Sequence, residues 1–243
     1  MAKTAQILLV GLPGSGKSRV QQAIREQLDL ECVELGTLPD LGEPKQPHQQ
    51  VWCVIDARPA FDEMQDAHAL SHLAELLQLA DGVLLNFIEA ADLTLQSHWI
   101  KWIKAQRPLP VVRLTYGRFP QGWVGFERDT LPDALQQTAA MPTLPGLQTC
   151  RYEVKKLYLE HLLMGLDALR RNWGVRIWRV TGVFYTFEYV NPVQLEGTPF
   201  GLDTFAAAGE VPGDVPDGWL QIQGVDLPQA QLQELVDACQ LSF

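Results

Sequence analysis

The chain of 243 residues is poor in cysteine, in basic residues and in long apolar runs, and each shortage closes off a class of protein. Cys32, Cys53, Cys150 and Cys239 stand far apart with no C-x-x-C pair. A disulfide framework or zinc knuckle is therefore not expected, and free thiols point to a reducing compartment. Lysine and arginine number 19 against 29 acids, a formal net charge of −10, which argues against a nucleic-acid partner or an anionic membrane surface. The one basic cluster, Arg170, Arg171, Arg176 and Arg179, straddles Asn172-Trp173-Gly174, and its first pair reads as a helix C-terminus closed by Gly174, where cations complement the dipole. No apolar run approaches the roughly 18 residues of a membrane span, and no signal-peptide pattern opens the chain. A cytoplasmic protein without a membrane partner is the expectation. Internal repeats and low-complexity tracts are absent as well.

What is present starts at residue 11. Gly11-Leu12-Pro13-Gly14-Ser15-Gly16-Lys17-Ser18 is a complete G-x-x-x-x-G-K-[ST] phosphate-binding loop. Its glycines let backbone N–H groups curl around a polyphosphate, Lys17 reaches the β- and γ-phosphates, and the Ser18 hydroxyl takes Mg²⁺. Residues 7–10 form a short apolar strand before it, and residues 18–28 carry apolar side chains at helical spacing after it. The phosphates would lie at a helix N-terminus, where free N–H groups and the dipole favour anions. Gly11, Gly14, Ser15, Gly16, Lys17, Ser18 and the adjoining Arg19 are the candidate nucleotide-binding residues.

The first half alternates strand and helix: strands at 30–35, 51–56, 82–86 and 109–114, helices at 61–80 and 93–106, and a loop rich in Pro, Gly and Gln at 37–50. Strands separated by helices imply βαβ units and a parallel sheet. The expected fold is an α/β P-loop domain over 1–119, a Pro-, Gly- and Thr-rich linker over 120–146, and a smaller α+β domain with an antiparallel sheet over 147–243. In the second domain, strands are expected at 147–154, 175–189, 193–197 and 219–225, with helices at 157–172 and 228–238. Its many aromatics (Trp173, Trp178, Phe184, Tyr185, Phe187, Tyr189) suit a sheet packed on helices, or, if exposed, a partner-binding face.

Four further stretches complete a pattern. Val54-Ile55-Asp56-Ala57 ends one strand, Ala80-Asp81-Gly82-Val83-Leu84-Leu85-Asn86 makes another, and residues 177–184 and 219–224 lie in the second half. With the P-loop, these resemble the CobW family of P-loop GTPases, associated with metal insertion and metal homeostasis. The resemblance implies GTP and Mg²⁺ as ligands, a base-reading loop at Asn86 and Glu89, GTP hydrolysis, and metal delivery to a client metalloprotein. The chain departs from the family in three places. The C-x-C-C metal motif is absent. The stretch between Ser18 and Val51 is too short for the family's helix and Walker-B strand. The guanine-reading N-K-x-D is Asn86-Phe87-Ile88-Glu89, which leaves ATP as an alternative to GTP.

The acid that completes the Mg²⁺ site is therefore open. Read from its residues alone, Asp56 at a strand end is the Walker-B candidate, a catalytic residue with Lys17 and a metal partner with Ser18. Read through the resemblance, Asp56 belongs to the next strand along, and its alternative role is a strand-end turn before Arg58. Weak hydrolysis is the expectation. For a transition metal such as Zn²⁺, His68 and His72 lie four apart on one predicted helix with Glu75 on the same stripe, and Cys32 and Cys53 could face one another across neighbouring strands. The plainer readings are a solvated helix face and buried thiols. A degenerate regulatory or adaptor module that keeps the P-loop without turnover is the other functional class. A P-loop kinase would need an arginine-rich lid, for which only Arg113 and Arg118 offer themselves.

Overall fold

The structure, a computed structural model, describes residues 6–34, 49–64, 66–127, 146–207 and 218–240. The chain divides between Leu144 and Pro145 into two compact units, each with its own sheet. In the first, β1 (Gln6–Val10), β2 (Cys32–Glu34), β3 (Gln49–Asp56), β4 (Gly82–Asn86) and β5 (Val111–Arg113) form one parallel sheet in the order β2-β1-β3-β4-β5. The intervening helices are α1 (Lys17–Leu28), α2 (Ala67–Leu79) and α3 (Leu93–Gln106). β4 is buried along its whole length, as strands covered on both faces must be, which is why it reads as an uninterrupted apolar run. α1 turns Val20, Ala23 and Ile24 inward, the helical spacing visible in the sequence. The expected α/β class is what forms.

Two boundaries move. The helix expected from residue 61 begins at Ala67. Before it, the carboxylates of Asp62 and Asp66 accept from the backbone N–H groups of Met64 (2.9 Å) and Asp62 (2.9 Å), and such local bonds favour a turn over a helix. The linker expected from residue 120 starts too early. Trp123 and Phe126 each pack on Trp52 with ring centroids 5.4 Å apart, Phe119 stacks on Trp123, and Gln50 Nε2 donates to the Phe126 carbonyl at 3.3 Å. Residues 120–127 thus cover the first unit's core, and the rest of the expected linker, 128–145, lies outside the described residues.

α2 has no basic residue in its last turn. Arg107, just past α3, fills that role: its guanidinium donates to the carbonyls of Leu77 (3.3 Å), Gln78 (2.9 Å) and Ala80 (2.9 Å), at the helix end where carbonyls run short of backbone donors. Arg107→Ala is expected to lower stability by about 2 kcal/mol, read as a shift in urea midpoint with an unchanged slope.

The second unit is an antiparallel sheet with helices. β6 (Leu147–Val154), β8 (Arg176–Thr186), β9 (Val193–Gly197), β10 (Leu202–Ala206) and β11 (Gly218–Val225) run in the order β10-β9-β8-β11-β6, and the short β7 (Lys156–Leu157) pairs in parallel with β8. α4 (Leu159–Trp173) and α5 (Gln229–Gln240) turn Leu162, Leu166, Leu169, Leu232 and Val236 into a core with Val154, Val180, Phe184, Leu220 and Ile222. Gly174 closes α4 in a left-handed conformation (φ 64°), the helix end expected there. β10 was not foreseen. No described helix is long and apolar enough to cross a membrane.

Candidate functional site

β1 feeds residues 11–16 directly into α1, so the loop lies at a helix N-terminus at the carboxyl end of the sheet, where parallel α/β sheets bind their ligands. Three of its residues adopt backbone angles that suit glycine: Gly11 (φ 150°), Gly14 (φ 81°) and Gly16 (φ 82°). A Cβ on Gly16 would come within 2.7 Å of the Phe87 ring, so the loop is backed by the chain that follows β4. Lys17 is buried, and its ammonium folds back to donate to the carbonyls of Gly11 (3.1 Å) and Leu12 (3.2 Å). The Ser15 hydroxyl is buried without a hydrogen-bond partner among the described residues.

Ser18 does not meet Asp56. Its hydroxyl donates to Glu34 Oε2 at 2.7 Å. β2 pairs in parallel with β1 on the side away from β3, and Glu34 is the last residue of that strand, level with Leu9 just before the loop. Sequence reasoning placed a strand here but not its acid. The available signal was a strand-end carboxylate in the short segment after α1. Asp56, at the end of β3, is held instead by Arg58: the backbone N–H of Arg58 donates to Oδ1 at 2.9 Å and the guanidinium to Oδ2 at 2.7 Å. That is the strand-end turn considered as its alternative role.

Beyond β3, Asn86 ends β4 fully buried and donates from Nδ2 to the Ser15 carbonyl at 3.1 Å, while its Oδ1 has no partner among the described residues. Phe87 follows in a left-handed conformation (φ 57°), costly for a bulky residue and a mark of functional corners. The guanidinium carbons of Arg58 and Arg19 lie 4.1 and 4.7 Å from its ring centroid, cation–π contacts that hold it in place. Glu89 accepts from Arg19 Nη2 at 2.8 Å and from the Tyr116 N–H at 3.2 Å. Burial pushes the Glu89 carboxyl up. The bond from Arg19, the backbone amides of Glu89 and Tyr116, and the Arg19 charge outweigh that and hold it below the usual carboxylate range. Asp81, at the start of β4, accepts from the Val51 N–H at 2.7 Å and is a structural tie between β3 and β4.

The transition-metal expectations fare differently. β1 lies between the strands of Cys32 and Cys53, so the two thiols cannot face one another across neighbouring strands. Burial pushes Cys53 up to about 12, the Lys17 charge pulling the other way, and raises Cys32 as well. Neither thiol is poised to ionise onto a metal. His72 points into the core rather than along a solvated stripe. Burial pushes its imidazole below the ordinary value against the pull of Glu75, 3.8 Å away. Among the described residues no group of three His, Cys, Asp or Glu side chains could hold a metal ion.

The second unit carries a cavity of about 340 Å³ lined by Leu159, Tyr189, Val190, Pro192 and Phe205 among others. No carboxylate, imidazole or thiol lines it. The basic cluster is drawn into local pairs, Arg171 with Asp167, Arg176 with Asp226 and Arg179 with Glu196.

A parallel sheet whose first strand runs through a glycine loop into a helix, with Lys17 and Ser18 at the helix start, is the architecture of a P-loop domain. No protein-family model matches the chain, and no curated protein matches it in sequence. Among solved structures it is similar to a Zn(II)-bound triple mutant of the YjiA GTPase, at 10% identity and a TM-score of 0.39, over 99% of this chain and 91% of the other. It is also similar to the Zn(II)-bound YjiA GTPase from E. coli, at 11% identity and a TM-score of 0.37, over 99% and 100% of the two chains. A third is Sup35 complexed with GDP, at 10% identity and a TM-score of 0.32, over 92% and 67%.

Proposed function

We propose that the chain binds a nucleoside triphosphate with Mg²⁺ at the loop of residues 11–18 and turns it over slowly. The observation that carries this reading is the Ser18–Glu34 pair, 2.7 Å apart beside the glycine loop. A hydroxyl and a carboxylate are the hard oxygen donors Mg²⁺ accepts, and Mg²⁺ keeps water in its remaining positions. The unpartnered Ser15 hydroxyl and the left-handed glycines suit a ligand that brings its own acceptors. When bound, Mg²⁺ neutralises charge building on the phosphates. Lys17 supplies a second positive charge, the loop amides orient the chain, and Glu34 orients Ser18.

Slow turnover follows from the acids at hand. Glu34 is engaged with Ser18, and Asp56 is committed to Arg58. Both acids are thus engaged by neighbouring side chains, which supports slow turnover. Metal delivery to a client protein has no support beyond the sequence resemblance.

Titration calorimetry with GTP and with ATP tests binding, and steady-state phosphate release tests turnover. Release at rates typical of competent GTPases, abolished by Lys17→Ala, would overturn the slow part. The two candidate acids separate in a second experiment. Glu34→Gln keeps an acceptor for Ser18 but removes the charge, and is expected to cut the Mg²⁺-dependent gain in affinity about tenfold, or about 1.4 kcal/mol. Asp56→Asn is expected to leave that gain intact. The reverse pattern returns the role to Asp56.

A further inference from the structure

We infer that Arg19 determines base choice at this site: by occupying the Glu89 carboxylate, it leaves the protein with no preference for guanine over adenine. The inference rests on the nucleotide-binding reading above.

The site has a direction. The hydroxyl that takes Mg²⁺ faces β2 and Glu34, so the terminal phosphates belong on that side of β1. The nucleoside then leaves on the opposite side, over the ends of β4 and β5. There it meets Asn86, Phe87, Glu89 and Tyr116, together with Arg19 from the first turn of α1.

Guanine differs from adenine along its pairing edge by offering two adjacent donors, N1–H and N2–H₂. A carboxylate with both oxygens available is their natural acceptor, as its capacity of about four lone-pair sites allows. On Glu89 each oxygen already carries one donor, so neither is left unpaired when guanine is absent. Oε1 takes Arg19 at 2.8 Å and Oε2 takes the Tyr116 N–H at 3.2 Å.

Arg19 is itself fixed from several sides. Its guanidinium lies over the Phe87 ring at 4.7 Å. The backbone of Gly117 closes on it as well, since a Cβ there would stand 2.8 Å from Arg19 Nε. A guanine would have to displace an ion pair to reach the carboxylate, whereas stacking beside Phe87 makes no distinction between purines. Discrimination by hydrogen bonds requires site groups that are left unpaired by the wrong ligand, and here Glu89 is paired with either.

The test is displacement of a ribose-labelled nucleotide by GTP and by ATP, with Mg²⁺, on the whole chain. Wild type is expected to give competition constants within about threefold of each other. Arg19→Ala frees Oε1 and removes the ion pair, and is expected to raise the GTP/ATP preference at least tenfold. Adding Glu89→Gln to Arg19→Ala is expected to return the ratio to the wild-type value, and Arg19→Gln serves where the alanine variant is poorly folded. A wild-type preference for GTP above tenfold overturns the inference, as does an unchanged ratio in both Arg19 variants. Failure of wild type to bind any nucleotide overturns the binding reading itself, a result distinct from guanine selectivity.

Discussion

Lys17→Ala is expected to reduce nucleoside-triphosphate affinity by two to three orders of magnitude while leaving the fold intact. Lys17 is 5% exposed, and its ammonium donates to the Gly11 and Leu12 carbonyls. A charged donor to phosphate is worth about 1.5–3 kcal/mol per hydrogen bond. Losing two such bonds corresponds to roughly 100-fold or more in the dissociation constant. The effect on the unliganded protein runs the other way. Lys17 keeps its charge in a buried position, and a buried cation costs desolvation. Truncation removes that cost together with the hydrogen bonds, so the melting temperature without nucleotide is expected to change little. The distinguishing measurement is the ligand-induced shift. Wild type at a hundredfold excess of ligand over its dissociation constant should gain about 2.7 kcal/mol, and the variant about 0.4 kcal/mol or less at the same ligand concentration. A variant that melts early without nucleotide would give Lys17 a structural role instead.

How far the sequence reaches is decided by the distance over which each feature is specified. The P-loop, β4 and α3 are local. Glycines at fixed offsets, an apolar run and an amphipathic period with Asp92 at the N-cap (its carboxylate accepting from the Leu95 N–H at 2.7 Å) each identify themselves. The pairing of Ser18 with Glu34 is not local. It depends on the three-residue β2 adding in parallel to the outer edge of β1 rather than beside β3, and no periodicity announces strand order. The same order defeats the Cys32–Cys53 pairing, because β1 intervenes. Composition misled at residues 120–127, where prolines and glycines suggested a linker. Trp123 and Phe126 were the contrary signal, since aromatics of that size are seldom left without a surface to cover. At the base corner the departure from N-K-x-D was legible in Phe87 and Glu89, whereas the engagement of Glu89 by Arg19 joins residues 70 positions apart and needed the fold.

Gly11→Ala is expected to destabilise the first unit by about 4 kcal/mol and to abolish nucleotide binding with it. Two effects add. At φ 150° the backbone occupies a region that residues with a Cβ rarely enter, a strain of about 1–3 kcal/mol. The new Cβ would also run into the carbonyl oxygen of Val54. That atom belongs to β3, which is paired with β1 on one side and β4 on the other, Val10 standing opposite Cys53. It cannot retreat without breaking a ladder, so the loop must move, and the loop carries the carbonyl that holds Lys17. Gly122→Ala separates the two effects. Gly122 also has a positive φ (77°), but nothing among the described residues stands within 4 Å of a Cβ placed there, so it reports strain alone and is expected to cost about 1 kcal/mol. Thermal melts of the two variants should differ by roughly 5–10 °C, taking about 2–4 °C per kcal/mol for a protein of this size. Equal melting temperatures would mean that the loop yields freely and that β3 does not clamp it. A Gly11→Ala protein that melts early and still binds nucleotide would show that Lys17 and the loop amides keep their geometry after the loop has moved.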